Sequence, residues 1–426
     1  MKKIVNLRIF QVLIIAFLSA FAGYFVGTNQ ISAAWKNYVP VISIENKNPP
    51  AGQPLDMKVF YEIFDNINRS YYDKSKVNAQ KLAEGAINGM LSSLDDPYTA
   101  FFPPKQNTEF KQQLAGEFSG IGAELSLSDD KKVVVVSPLD DSPAEKAGIR
   151  AGDTILKVDD VDTAGWTIAQ AVEKIRGHKG TTVALTILHE KAKSPNTLKI
   201  VRDTIVIKSV TGWVKNFTCT NSECKESTSG KPVMYIRLSQ FGDKTNDEWI
   251  STINDLNGKL GNKKTAGIIL DLRNNPGGYL NDAVFISSEF LTGGVVVIQE
   301  DTEKNQEVLR VSRKGVLTQE PIIVLINKGS ASASEITAGA LRDHNRAKLL
   351  GENSFGKGTV QSAIDLEEGA SVHISIAKWL TPNGTWVNKV GLEPDIKVAF
   401  DASKSAKLVE KQLDNQIVAA ISELLK

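Results

Sequence analysis

Apolar positions recur every three or four residues along Met57–Tyr72 (Val59, Phe60, Ile63, Phe64, Ile67) and Asn78–Leu94 (Leu82, Ala86, Ile87, Met90, Leu91), which predicts a helical pair. From Gln112 to about Arg202 the pattern shortens. Val133–Val136 and the alternating Thr181–Leu188 read as strands, and Thr167–Ile175 as a helix. Farther along, compact apolar runs rich in β-branched residues (Val233–Leu238, Ile268–Leu272, Val295–Gln299, Ile322–Ile326) predict strands, the last of them buried on both faces as in a parallel sheet. Helical spacing over Tyr279–Leu291 and Ala331–Arg346 falls between the strands. This alternation predicts a mixed α/β core whose sites lie beyond the carboxyl ends of the strands. Thr359–Leu366 and Ser371–Leu380 add strands, and Leu408–Leu424 reads as an amphipathic helix.

The first residues follow another rule. Lys2, Lys3 and Arg8 precede an apolar stretch from Ile9 to Val26, the pattern of an export signal or a membrane anchor. The stretch is long for a signal core and near the minimum for a span, which favours an uncleaved anchor, with Ser32-Ala-Ala34 as the candidate cleavage site otherwise. Positive charges on the cytoplasmic side leave the body on the extracytoplasmic side, periplasmic or extracellular. Tyr38–Asp56, rich in Pro, Asn, Gly and Lys, reads as a linker.

Composition narrows the function classes. The 426 residues suffice for two or three domains, and a 42% apolar, 23% charged chain can bury a core. Fifty basic side chains balance forty-nine acidic ones with no basic stripe, which argues against nucleic acid as a partner. Cys219 and Cys224 lie in a polar loop, Asn216–Lys225, where an exported protein would join them in a small-ring disulfide; two cysteines alone make a weak metal site.

The candidate chemistry lies in Asn327–Gln361. A strand, a tight turn and a small-residue helix start, with the Ser332-x-x-Glu335 capping pattern, place a hydroxyl beside unpaired N–H groups at the positive end of a helix. Ser332 is the candidate nucleophile. His344 lies twelve residues along the same helix, roughly 18 Å away at about 1.5 Å per residue, and is excluded as its base. His178 and His189 belong to another domain, whereas His373, in an alternating strand, stays open. Lys357, between Gly356 and Gly358, is the stronger base, because burial can lower a lysine pKa by several units. Spacing alone leaves an equal alternative, in which Ser332 caps a helix and Lys357 is a solvated turn residue. The adjacent Asp95 and Asp96, followed by Pro97, read as a turn rather than an acid–base pair. No Gly-x-Ser-x-Gly elbow, His-Glu-x-x-His or Walker loop occurs.

Gly329-Ser-Ala-Ser-Ala-Ser-Glu335 and Phe355-Gly-Lys-Gly-Thr-Val-Gln361 resemble the signature of the carboxyl-terminal processing, or tail-specific, serine peptidases. The resemblance selects Ser332 over Ser330 and Ser334, pairs it with Lys357 as a dyad, and assigns Gln361 to orient the lysine. It also implies an oxyanion hole from the N–H groups of Ala333 and Gly278, and no metal or organic cofactor. Gly120-Ile-Gly-Ala123, followed by Ser142–Val158, resembles the PDZ domains of bacterial proteases, with Gly120, Ile121, Gly122 and Ala123 as the loop that binds a peptide's terminal carboxylate. Arg176 resembles a family arginine that contacts the protease body when the PDZ domain moves, or else is a cation favoured at a helix end.

The expected order is a cytoplasmic N-terminus (1–8), an anchor or signal (9–27), a linker (28–56), an N-terminal helical region (57–111), a PDZ-like domain (112–203), an α/β peptidase core (204–400) with a cysteine insertion at 215–231, and a C-terminal helix (401–426). The function implied is a single-pass membrane serine endopeptidase that binds polypeptides by their free C-termini and is able to form homo-oligomers. The rival is a catalytically silent PDZ scaffold, against which the joint presence of Ser332, Lys357 and Gln361 speaks.

Overall fold

The structure is a computed structural model that describes residues 14–15, 17–19, 31–36, 39–44, 57–128, 130–139, 142–150, 152–189, 192–220, 223–401 and 413–426. The chain divides into two compact units, residues 1–83 and 84–426.

The first unit contains an antiparallel pair, Ile31–Lys36 with Val39–Ile44, and the helix Lys58–Ser70. The pair falls within the stretch read as a linker, where Ile31, Val39, Val41 and Ile42 are β-forming residues. The expected anchor falls largely outside the described residues. Among the described residues, no helix is long and apolar enough to cross a membrane.

In the second unit the main sheet has seven strands in the order Glu223–Glu226, Val210–Thr220, Lys231–Leu238, Gly267–Asp271, Ile322–Ile326, Ala347–Gly351 and Ile396–Lys397. From Lys231–Leu238 onward every neighbouring pair is parallel. Alternate residues of these strands enter two cores. Ile268, Leu270, Ile322 and Val324 pack with Trp249, Ile286 and Ile336 of the helices Thr245–Leu260, Leu280–Phe290 and Ala333–Asp343. Ile269, Ile323 and Leu325 pack instead with Ile417, Ala420 and Ile421 of the helix Asn415–Leu424. Both faces are thereby covered, which is why these runs are continuous rather than alternating.

The cysteines do not sit in an open loop. Val210–Thr220 and Glu223–Glu226 form an edge hairpin in which Cys219 and Cys224 are direct cross-strand partners joined by a disulfide. Val295–Glu300, expected in the α/β core, belongs to a second, antiparallel sheet with Gln306–Arg310, Thr359–Asp365 and Ser371–Leu380. Ala100–Phe102 pairs onto the same Ser371–Leu380 strand.

A third sheet, in the order Asn196–Val201, Thr182–Leu188, Thr154–Val158, Val133–Pro138 and Ala123–Leu127, encloses its own core of Val133, Ile155, Leu185 and Ile187. The helix Ile168–Ile175 lies against it, opened by a reciprocal cap between Thr167 and Gln170.

Candidate active site

Three turns leave the carboxyl ends of adjacent parallel strands. The turn after Gly267–Asp271 carries Gly278, that after Ile322–Ile326 carries Ser332, and that after Ala347–Gly351 carries Lys357. Parallel packing with helices behind makes this edge the natural crevice.

The helix expected from Ala331 starts at Ala333 instead, because Ser332 adopts φ 56° and ψ −116°. A non-glycine residue held there carries backbone strain, and the sharp turn throws its side chain out between strand and helix. Of the three neighbouring serines, Ser330 donates to Leu272 O at 2.8 Å and Ser334 to Asn275 O at 2.8 Å, both fully buried. Ser332 is the partly exposed one. Ala333 is the first helical residue, so its N–H belongs to the set that helix geometry leaves unpaired.

The Gly278 turn is stitched to this elbow. Ala331 N donates to Asn275 O at 3.0 Å, and Asn274 and Asn327 exchange hydrogen bonds of 2.8 and 2.9 Å. At Gly277 (φ 97°) a side chain would meet Ser332 Cβ at 2.8 Å and Ala333 N at 2.9 Å. At Gly278 (φ 140°) it would strike Phe241 O at 1.7 Å. Only glycine permits this approach.

Glu335 joins the elbow to the lysine turn. Its fully buried carboxylate accepts from Ser332 N (2.8 Å) and Lys357 N (2.9 Å) on one oxygen, and from Ser354 Oγ (2.6 Å) and Gly356 N (2.7 Å) on the other. The Lys357 carbonyl receives Trp379 Nε1 and the Gly358 carbonyl receives Trp386 Nε1, each at 2.8 Å. Burial holds the Lys357 ammonium below its usual pKa, opposed by the negative charges of Asp96 and Glu335. Its Nζ lies 5.3 Å from the centroid of the Tyr98 ring.

Gln361 donates through Nε2 to Thr359 Oγ1 (2.8 Å) and Ser375 Oγ (3.2 Å), and among the described residues no hydrogen bond joins it to Lys357. His373 packs at a tilt against Phe102 and edge-on against Phe110, at 4.4 and 4.8 Å between ring centroids. Burial and the Lys357 charge lower its pKa, against Asp365. His344 Nε2 donates to Val295 O, 2.7 Å away, and His189 pairs with Asp153 at 2.8 Å; both are committed to structure.

Just before the strand Ala123–Leu127, Gly122 (φ 72°) lies so close to Ser142 that a side chain would meet its Cβ at 2.5 Å, and Ile121 O accepts from Ala144 N. Gly120 ends the short strand Glu117–Gly120, and Ala123 begins the next. Arg176 ends the helix Ile168–Ile175 with its guanidinium 5.3 Å from the Phe118 ring centroid. It lines a cleft of about 1070 Å³ that also receives Phe102, Phe110, Val172 and His178.

The sequence places Asp96 in a turn and gives no sign that it, Glu335, Tyr98, Trp379 or Trp386 gathers around the lysine. Glu335 was legible only as a helix cap, and the others lie far from the serine in sequence.

Family models match residues 232–398 to peptidase family S41, residues 111–188 to a PDZ domain, and residues 17–105 to the N-terminal domain of the activating protease CtpB. Fold and models together define an α/β serine peptidase carrying a PDZ domain. A carboxy-terminal-processing protease of Bartonella bacilliformis is 41% identical over 341 residues, 80% of this chain and 74% of that protein. CtpB of Bacillus subtilis, a carboxy-terminal processing protease, is 35% identical over 381 residues, 88% and 74% of the two. The chain belongs to the carboxy-terminal-processing serine peptidases of family S41. The solved photosystem II D1 C-terminal processing protease is similar with a TM-score of 0.51 and 28% identity over 85% of this chain and 96% of that one. A putative S41 protease from Bacteroides fragilis, 15% identical, shares the fold with a TM-score of 0.56, covering 89% and 98% of the two chains.

Proposed function

We propose that the protein hydrolyses polypeptides by acyl transfer through a Ser332–Lys357 dyad, after capturing them by their C-termini. The single observation that carries this reading is that the backbone N–H groups of Ser332 and Lys357 share one oxygen of Glu335, at 2.8 and 2.9 Å. Two turns from different strands are thereby held side by side, with the partly exposed serine at the strained position.

Neutral Lys357 takes the hydroxyl proton as Ser332 Oγ attacks the scissile carbonyl. The N–H groups of Ala333 and Gly278 receive the oxyanion. On collapse the C–N bond breaks and the lysinium returns its proton to the leaving amine. Water, deprotonated by Lys357, then attacks the acyl carbon, the bond to Ser332 Oγ breaks, and the lysinium returns its proton to that oxygen. Gln361, its amide nitrogen held by Thr359 and Ser375, offers its carbonyl oxygen to orient the lysine.

The Gly120–Ala123 loop reads the terminal carboxylate, and Arg176 couples that event to the catalytic body. The basic and apolar N-terminus tethers the body outside the cytoplasm, a location in which the Cys219–Cys224 disulfide persists. Domain limits follow the order given above, with the PDZ-like domain at 112–203 and the core at 204–400.

The test is a set of folded variants. Ser332→Ala and Lys357→Ala should each lose peptide cleavage by at least a thousandfold, and Lys357→Arg should be equally inactive because a guanidinium stays protonated. A fluorophosphonate should label wild type at Ser332. Ordinary turnover by Ser332→Ala or Lys357→Ala would overturn the dyad.

A further inference from the structure

The turn Asp96-Pro-Tyr-Thr99 lies far from the serine motif in sequence yet reaches the lysine. Asp96 Oδ1 accepts Tyr98 N at 3.0 Å and Oδ2 accepts Thr99 Oγ1 at 2.7 Å. Thr99 Oγ1, buried, accepts Ser375 N at 3.0 Å. Ser375 Oγ in turn receives Gln361 Nε2 at 3.2 Å, across a register that pairs Gln361 with Ser375. The chain of contacts thus runs from Asp96 through Thr99 and Ser375 to Gln361. From the same turn, the Tyr98 ring sits 5.3 Å from Lys357 Nζ.

Strand pairing fixes this turn in place. Immediately after it, Ala100, Phe101 and Phe102 pair with His373, Val372 and Ser371. Asn107 of the following helix Pro104–Leu114 bonds to Gly369 O and to Ser371 Oγ, both at 2.9 Å. The turn cannot slide without breaking this ladder.

We propose that Asp96 and Tyr98 are positioning residues for the peptidase reaction: Asp96 sets Gln361 through Thr99 and Ser375 and stabilises the lysinium formed when Ser332 gives up its proton, and the Tyr98 ring confines the Lys357 side chain. This rests on the Ser332–Lys357 reading. The carboxylate role parallels the one that an aspartate plays for the imidazolium in a serine-histidine-aspartate triad. Partial burial opposes ionisation of Asp96, but Ser375, Thr99 and the Tyr98 N–H, with the Lys357 charge, hold its carboxyl below the usual range, so the charge is present at neutral pH. The groups that face Lys357 are Asp96 and Tyr98 from this turn, Glu335 from the helix Ala333–Asp343, and His373 from Ser371–Leu380. Of these, Asp96 and Glu335 carry the negative charges that favour the protonated lysine.

The experiment measures kcat and KM against pH for full-length wild type, Asp96→Asn, Asp96→Glu, Ser375→Ala and Tyr98→Ala, with Lys357→Ala in parallel and thermal unfolding as a folding control. Removing the Asp96 charge lets Lys357 lose its proton more readily. Asp96→Asn should therefore move the ascending limb of kcat to lower pH and lower the plateau about tenfold or more, with KM within about twofold. Asp96→Glu should restore the limb. Ser375→Ala should lower kcat while leaving the limb in place, and it keeps the test alive if Asp96→Asn does not fold. Tyr98→Ala should lower kcat in a folded protein. A loss of kcat in Asp96→Asn without displacement of the limb, an unchanged kcat in it, or full activity of Ser375→Ala would overturn the proposal. Turnover by Lys357→Ala would instead remove the dyad beneath it.

Discussion

A single buried carboxylate, that of Glu335, accepts from Ser332 N, Ser354 Oγ, Gly356 N and Lys357 N. Hydrogen bonds to a charged group contribute about 1.5–3 kcal/mol each, and a buried donor left unpaired costs about 1–3 kcal/mol. Replacing Glu335 strands donors on two turns at once. Glu335→Ala should lose at least about 3 kcal/mol of stability in urea unfolding. Glu335→Gln keeps the shape but puts an amide where an oxygen accepted, so it should retain the fold and lose cleavage at least about a hundredfold. A Glu335→Gln enzyme as active as wild type would mean that the shared oxygen does not position the reacting groups.

The helix Leu280–Phe290, which follows the Gly278 turn, carries Asp282 in its first turn. Its Oδ1 accepts Asn246 Nδ2 at 2.9 Å, while Oδ2 is buried without a partner among the described residues. Burial, helped by the charge of Asp243 and opposed by Asn246, pushes its carboxyl up to about 6 from an ordinary 3.8. The folded state therefore holds a proton that the unfolded state releases, and stability falls as pH rises through that window. Asp282→Asn should flatten the dependence of the urea midpoint between pH 4 and 6. At pH 7 it should unfold with about 1–3 kcal/mol more stability than wild type. An unchanged slope would show that Asp282 is charged in the folded protein throughout. On the other side of the sheet, Arg273 binds Asp271 and also Asp414 (2.9 Å) and Gln416 (2.7 Å) at the start of Asn415–Leu424, so the terminal helix is fastened beside the turn that ends in Gly278.

For the whole molecule, binding a tail shifts activity only if it contacts the resting and active arrangements differently. A peptide with a free C-terminus should be cleaved at least about tenfold faster than its amidated twin by wild type, and Arg176→Ala should shrink that ratio. In the present arrangement Arg176 rests on Phe118, so the contact it would make after activation has to replace one it already has. Equal cleavage of both peptides by wild type would remove the carboxylate-reading role of Gly120–Ala123. An unchanged ratio in Arg176→Ala would remove the arginine alone.

The sequence by itself determined what depends on neighbours along the chain. Doubly buried strands such as Ile322–Ile326 are readable because both faces demand apolar residues, and the helix pair, the Thr167 cap and the serine and lysine motifs are short-range patterns. It did not determine which strand lies beside which. Val295–Glu300 has the composition of a core strand, yet it pairs with Ser371–Leu380 in another sheet. Cys219 and Cys224 looked like a loop, because five residues of separation do not reveal that a hairpin carries them as partners. The close fit of the Gly277–Gly278 turn against Ser332 comes only with tertiary packing, and so does the approach of Tyr98 to Lys357, which follows from Ala100–Phe102 pairing with a strand some 270 positions later. Such contacts join residues remote along the chain. Local periodicity carries no record of them, and tertiary packing alone decides them.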